Sequence, residues 1–251
     1  MRAILAIYIL LFICNVVADE KIPDLIIEEI QKDIYLHKSF SHVDGFGIVS
    51  ANGLVVVENK KAFIIDTPWS EKDTAKLVQW IRNKDYELVG SISTHSHEDR
   101  TAGIKWLNAR SILTYASALT NELLKKEGKE LAKKSFEGTK FVLVAGLIEA
   151  YYPGGGHTID NIVVWMPKSQ ILFGGCFVRS LGSKSLGYTG EAYIEKWPSS
   201  VEKVLLRYPD IKTVIPGHGK MGGVQLLMHT KQLAESASNN SILSTAKEQV
   251  D

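Results

Sequence analysis

Thr94-His95-Ser96-His97-Glu98-Asp99-Arg100 decides how this chain is read. Two imidazoles and a carboxylate stand at alternate positions directly after Leu88 to Ser93, a short run that reads as a strand. Farther along, His157 closes the turn Gly154-Gly155-Gly156-His157-Thr158, Cys176 follows Gly174-Gly175, and His218 stands in Pro216-Gly217-His218-Gly219. Imidazole nitrogen, thiolate and carboxylate oxygen are the ligands of zinc, and a catalytic zinc keeps one position open for water. These six groups suffice for two adjacent three-ligand sites sharing one water. Alternate residues of a His-x-His-x-Asp loop point the same way. His95 and His97 can therefore join His157 on one ion, while Asp99 reaches a second with Cys176 and His218. An ion held by three imidazoles lowers the pKa of its water to about 7, giving hydroxide at neutral pH.

Each of these residues lies at a strand end or in the turn after one. Strands are expected at Ile34 to Phe40, Gly47 to Ser50, Leu54 to Glu58 and Ala62 to Ile65, with turns at Asp44-Gly45 and Asn52-Gly53. Ser70 can cap a helix from about Glu71 to Lys84, in which Leu77, Val78, Trp80 and Ile81 recur at helical spacing. Beyond the histidine segment come a short helix (Ala102 to Asn108), a strand (Ile112 to Tyr115) and a Lys-rich helix (Thr120 to Lys134). The strand pattern returns at Phe141 to Val144, Ile148 to Tyr152, Ile162 to Met166 and Ile171 to Phe173. Helix Ser199 to Tyr208, strand Thr213 to Ile215 and a last helix from Gly223 to Ser236 complete the pattern. Strands then helix, twice over, predict an α/β protein with two packed β-sheets and helices outside.

The chain opens with Arg2 and an almost wholly apolar run from Ala3 to Val17, followed by small residues at Val16-Val17-Ala18. That is the form of a signal peptide cleaved after Ala18. The apolar run is shorter than the roughly 20 residues of a membrane span. Ile13, where a small residue is wanted, argues against a lipid anchor on Cys14. Residues 19–236 are then expected as one domain and 237–251, rich in Ser, Asn and Lys, as a disordered tail. Without Cys14 only Cys176 remains, which excludes an intramolecular disulfide. A lone thiol in an exported protein is either a small buried hydrophobe or a metal ligand, and its glycine context favours ligation. Removing Arg2 takes the net charge from +1 to zero, and no basic tract points to nucleic acid.

The chain resembles the metallo-β-lactamases of subclass B1, from about Lys32 to Ala234. The resemblance rests on Thr94 to Gly103, Tyr152 to Thr158, Phe173 to Phe177 and Pro216 to Gly219. Trp106 to Ser111 and Tyr115 to Lys125 are most similar to the imipenemase-type branch. The resemblance implies a four-layer αβ/βα sandwich of two mixed sheets and a monomeric periplasmic enzyme with two zinc ions and no stable membrane anchor. Its implied substrates are penicillins, cephalosporins and carbapenems. It implies hydrolysis of the lactam amide by a zinc-bound hydroxide, with no covalent enzyme intermediate and with Asp99 helping to orient the nucleophile. Thiolester hydrolases, lactonases and tRNA-processing nucleases of the same fold usually carry a second histidine after the aspartate, and an aspartate bridging both metals. Arg100 and Cys176 stand in those roles here. A relative acting on thiolesters or lactones, and a non-catalytic zinc-binding exported protein, are the rival readings.

Substrate contacts follow from the same resemblance. Arg179 stands where the family commonly has a lysine that pairs with the substrate carboxylate; the alternative is a solvated loop cation. Tyr188 replaces an asparagine that helps hold the lactam carbonyl. Phe46 occupies the tip of a hairpin that closes over substrate, or else packs on the sheet. Trp69 walls the pocket or lies in the core, and Asp66 either hydrogen-bonds a ligand imidazole or caps a helix entry. His37, His42 and His229 are assigned no role in the site.

Overall fold

Leu54 and Val56 leave their strand on one face, Val55 and Val57 on the other, and all four are buried. A strand apolar on both faces must be covered on both. The computed structural model describes residues 21–248, so the expected signal peptide lies outside the described residues. Along the chain run β1 (Ile26–Gln31), β2 (Ile34–Val43), β3 (Gly47–Glu58), β4 (Lys61–Ile65), α1 (Glu71–Asn83), β5 (Glu87–Ile92), α2 (Glu98–Thr101) and α3 (Ile104–Asn108). There follow β6 (Leu113–Ser117), α4 (Ala118–Lys126), β7 (Lys134–Phe136), β8 (Lys140–Val144), β9 (Ile148–Tyr151), β10 (Val163–Met166), β11 (Ile171–Gly175), α5 (Trp197–Arg207), β12 (Thr213–Pro216) and α6 (Gln225–Glu248).

Seven strands form one sheet in the order β1 to β7, antiparallel up to β4 and parallel from there. Five form the other, in the order β12-β11-β10-β9-β8, with only β11 and β12 parallel. Between the sheets, Leu54, Val56, Ile65 and Ile92 meet Ile148, Val164, Phe173 and Ile215. On the outer face of the first sheet, Val55 and Ile64 pack against Leu77, Val78 and Ile81 of α1 and Leu107 of α3. On that of the second, Val163, Leu172 and Val214 pack against Val201 and Val204 of α5 and Leu226 and Leu227 of α6. The result is the expected four-layer αβ/βα sandwich.

Several elements differ from expectation. Asn52-Gly53 makes no turn but lies inside β3, which is continuous over Gly47–Glu58. Asn52 sends its backbone N–H to Gly217 O at 2.8 Å and its Nδ2 to Pro216 O and Gly219 O, both at 2.9 Å, so it ties the first sheet to the end of β12. Gly53 is required beside it, since a Cβ there would lie 2.3 Å from the His37 ring. Helix α4 stops at Lys126, with Gly128 at φ +69 just beyond, rather than reaching Lys134, which begins β7. The edge strand β1 was not anticipated. Helix α6 continues to Glu248, so the backbone is helical where an unstructured tail was expected from Ala237. Ala237 packs on the second outer core, and no proline or glycine interrupts the stretch that follows. Ser70 caps α1 as read, accepting the Asp73 N–H at 3.0 Å.

Candidate metal centre

The loop after β5 is fixed on both sides of its first histidine. Thr94 donates its N–H and its hydroxyl to the two oxygens of Asp66, at 2.7 and 2.8 Å. Ser96 donates its N–H to Asp160 Oδ2 at 2.8 Å, and Thr94 O accepts from Ile162 N–H at 2.9 Å. The loop therefore hangs on two buried carboxylates, and the imidazoles between them have little freedom. Asp66 meets no ligand imidazole: it acts on Thr94 and, at 3.3 Å, on Arg100 Nη1, while the helix cap belongs to Ser70. Burial raises the Asp66 pKa to about 7, against the pull of Arg100.

His95, His97 and His157 converge from two loops. Their ring centroids are 4.7 to 5.0 Å apart, each pair edge to face, and His157 Nε2 is 3.1 Å from His97 Nδ1. His95 Nε2 is buried without a hydrogen-bond partner. Burial, with the neighbouring imidazoles adding to it, holds His95 and His157 well below the usual histidine range. These two rings are neutral and carry lone pairs. His97 turns its other nitrogen outward, where Nε2–H donates to Glu191 Oε2 at 2.7 Å. That contact sets the tautomer, leaving the lone pair of Nδ1 directed at His157.

Asp99, Cys176 and His218 form a second cluster. Cys176 Sγ lies 3.3 Å from Asp99 Oδ2 and 3.2 Å from His218 Nε2, and those two are 3.3 Å apart. His218 Nδ1–H donates to Ser50 O at 2.7 Å, which directs Nε2 inward. Arg100, wholly buried, holds the group together. Its Nη2 lies 2.7 Å from Asp99 Oδ2, 3.1 Å from Cys176 Sγ and 3.1 Å from Gly217 O, and its Nη1 lies 2.6 Å from Asn52 O. Gly217 leaves room for this, because a Cβ would sit 2.6 Å from Cys176 N and 2.8 Å from Arg100 Nη2. Burial opposes the Asp99 charge, yet Arg100 and His218 hold its pKa well below the carboxylate range. Burial likewise opposes a charged His218, but Cys176 and Asp99 outweigh it and raise its pKa to about 10. This corner therefore favours a cation. His95, Asp99 and Cys176 also offer donor atoms within 4.8 Å of one another, so the two clusters adjoin. Cysteine sulfur, imidazole nitrogen and carboxylate oxygen in two sets of three suit zinc.

The clusters open into a cleft of about 390 Å³ lined also by Trp69, Val43, Glu127, Lys129, Tyr188 and Glu191. Trp69 faces the cleft, its ring 6.1 Å from His218. Tyr188, half exposed, lies 6.0 Å from His97. Phe46 is 57 % exposed at the tip of the β2–β3 hairpin, between Gly45 (φ +78) and Gly47 (φ +72), and is not packed on the sheet. Arg179 is half-buried and lies outside the set of residues that line the cleft. Its guanidinium lies against Gly187, and burial lowers its pKa. His37 is buried on Asp66 O, His42 faces Asp44, and His229 meets Ser183 O, all apart from the site. The sequence reading missed Glu191 and Asp160, single loop carboxylates with no spacing that announces them.

Residues 47–218 match the model of the metallo-beta-lactamase superfamily. A metallo-beta-lactamase type 2 of Pseudomonas aeruginosa is 47% identical over 236 residues, 92% of this chain and 95% of that protein. One of Bacteroides fragilis is 33% identical over 98% of this chain and all of its own length. Among solved structures, TMB-1 is 66% identical with a TM-score of 0.85, over 86% of this chain and 100% of the other. DIM-1 metallo-beta-lactamase exposed to ceftazidime is 61% identical with a TM-score of 0.86, over 87% and 100%. The chain belongs to the metallo-β-lactamase superfamily. Within it, the sequence and structure neighbours make it a class B hydrolase of subclass B1.

Proposed function

We propose that this protein hydrolyses the amide bond of penicillins, cephalosporins and carbapenems, and so confers resistance to them. The observation that carries the reading is the pair of adjoining donor triads facing one open cleft, with Cys176 enclosed by Asp99, His218 and Arg100. His95, His97 and His157 would hold one zinc ion, and Asp99, Cys176 and His218 a second. When bound, the two ions supply Lewis acidity and water activated at neutral pH.

The chain's own residues do the positioning. Asp66 and Asp160 fix the loop bearing His95 and His97, and Glu191 orients His97. Arg100 keeps Asp99 ionised and compact with Cys176. On this reading Asp99 also orients the attacking water. Arg179 pairs with the substrate carboxylate, Tyr188 stands by the lactam carbonyl, Trp69 walls the cleft, and Phe46 closes over it. On the same reading the lactam is hydrolysed without a covalent bond to the enzyme. We also propose export to the periplasm as a monomer, with residues 1–18 removed and 19–236 as the domain. Among the described residues no helix is long and apolar enough to cross a membrane.

The test is hydrolysis of a carbapenem followed by absorbance, with a chelator added and zinc then restored. Loss and recovery of turnover are expected. A folded protein carrying two zincs that leaves every lactam intact would move the assignment to the thiolester and lactone hydrolases.

A further inference from the structure

Two hollows meet at Glu127 and Glu191. One is the metal cleft. The other, of about 620 Å³, runs between the C-terminal end of α4 and the 190–193 loop. Leu123, Ile159 and the half-exposed Tyr193 give it apolar and aromatic walls, and Lys126 reaches it from the last turn of α4. The two carboxylates it shares with the cleft are already engaged. Glu127 pairs with Lys129 Nζ at 2.6 Å, and Glu191 with His97 Nε2 at 2.7 Å. Lys126 has no carboxylate partner among the described residues, so its ammonium is open to an anionic group beside the apolar wall, with the Glu191 carboxylate on the same lining.

We propose that this hollow is a subsite for lactam acyl side chains that carry a carboxylate, and that Lys126 selects them. The proposal rests on the lactamase reading of the metal cleft. In a bicyclic lactam the ring carboxylate and the acylamino group lie at opposite ends of the fused rings. With the ring carboxylate toward Arg179, on the Cys176 side, the acylamino group extends past His97 and Glu191 into the hollow. There an aryl group meets Tyr193 and Ile159, and a carboxylate on the same side chain meets the Lys126 ammonium. An ion pair this exposed to water changes affinity by a few-fold, enough to rank substrates without being needed for turnover.

Benzylpenicillin and carbenicillin share a ring system and a phenyl group and differ by one side-chain carboxylate, so their kcat/KM ratio on the zinc-loaded protein isolates the contact. Lys126→Gln is expected to lower the carbenicillin-to-benzylpenicillin ratio about two- to fivefold. Lys126→Glu should lower it further, through KM, and added salt should flatten the ratio in the parent protein. Lys125→Glu changes the neighbouring lysine, outside the hollow, and should leave the ratio where it was. An unchanged ratio in both Lys126 variants, or an equal fall in Lys125→Glu, overturns the subsite. No turnover of either penicillin overturns the lactamase reading itself, and the subsite with it.

Discussion

Arg100 Nη2 lies 3.1 Å from Cys176 Sγ, inside the protein, where the guanidinium has no contact with solvent. The same side chain answers Asp99 and Asp66, so it neutralises two buried carboxyl groups as well as facing the thiol. Removing it by Arg100→Ala leaves Asp66 without a cation and Asp99 with His218 alone, and should cost about 3–5 kcal/mol. Arg100→Lys keeps the charge but loses the planar fork, and should recover only part of that. Thermal unfolding of the metal-free protein measures both. A melting temperature unmoved in Arg100→Ala would deny Arg100 this role.

Cys176 is enclosed by Asp99, His218 and Arg100, and the other triad does not use it. Cys176→Ser should therefore lose the second zinc far more readily than the first. Zinc counted by elemental analysis after dialysis should fall toward one per chain. Retention of both would take Cys176 out of the ligand set.

Glu191 accepts from the outward nitrogen of His97. Without that acceptor the ring can change tautomer and turn, and partners of this kind are worth about 10–100-fold in metal affinity. Glu191→Ala should weaken the three-histidine site by that order in a competition titration with a chelating dye, while Glu191→Gln, which keeps an acceptor, should lose less. Parent-like affinity in Glu191→Ala would make the carboxylate mere rim.

His37, on β2, is buried with its ring over Gly53 of β3 and its Nε2 3.0 Å from Asp66 O. Burial takes its pKa from 6.5 to about 3, even though the Asp66 carbonyl works the other way. The fold thus favours the neutral ring. Its stabilising contribution is complete above pH 6.5 and is lost as pH falls from 6.5 toward 3. Denaturant unfolding across that range should show a flatter loss of stability in His37→Gln than in the parent. Parallel pH profiles would show that His37 is not the group being titrated.

Arg179 packs half-buried against Gly187, in the loop that also carries Tyr188. Arg179→Ala should raise KM for lactams bearing a ring carboxylate, with a smaller effect on kcat. Steady-state kinetics that leave KM alone would confine Arg179 to supporting that loop.

The candidate ligand residues were legible because histidine, cysteine and aspartate after strand ends are an uncommon conjunction, and the layers because strands followed by helix recur twice along the chain. What escaped was long-range. Asn52-Gly53 carries a strong local turn signal, yet its amide is claimed by the carbonyls of Pro216 and Gly219, more than 160 residues away in sequence. Arg100 was legible only as the residue replacing a histidine; that it reaches Asn52, Asp66, Cys176 and Gly217 needs the folded chain. Strand β1 buries little and so shows no pattern of its own, with Ile26 45% exposed. Helix α6 outruns its amphipathic stretch because nothing in the sequence stops it.

The link from Asn52 to Gly217 and Gly219 makes the seam between the sheets part of the candidate metal centre. Heritable change is then unevenly distributed over this molecule. A substitution at Asn52, Arg100 or Gly217 disturbs cohesion and chemistry together. Phe46, Tyr188 and Lys126 sit at the rim with one side in water, where most replacements leave the layers intact. Diversification of what the cleft accepts has an open route through those rim positions, and the seam stays as it is.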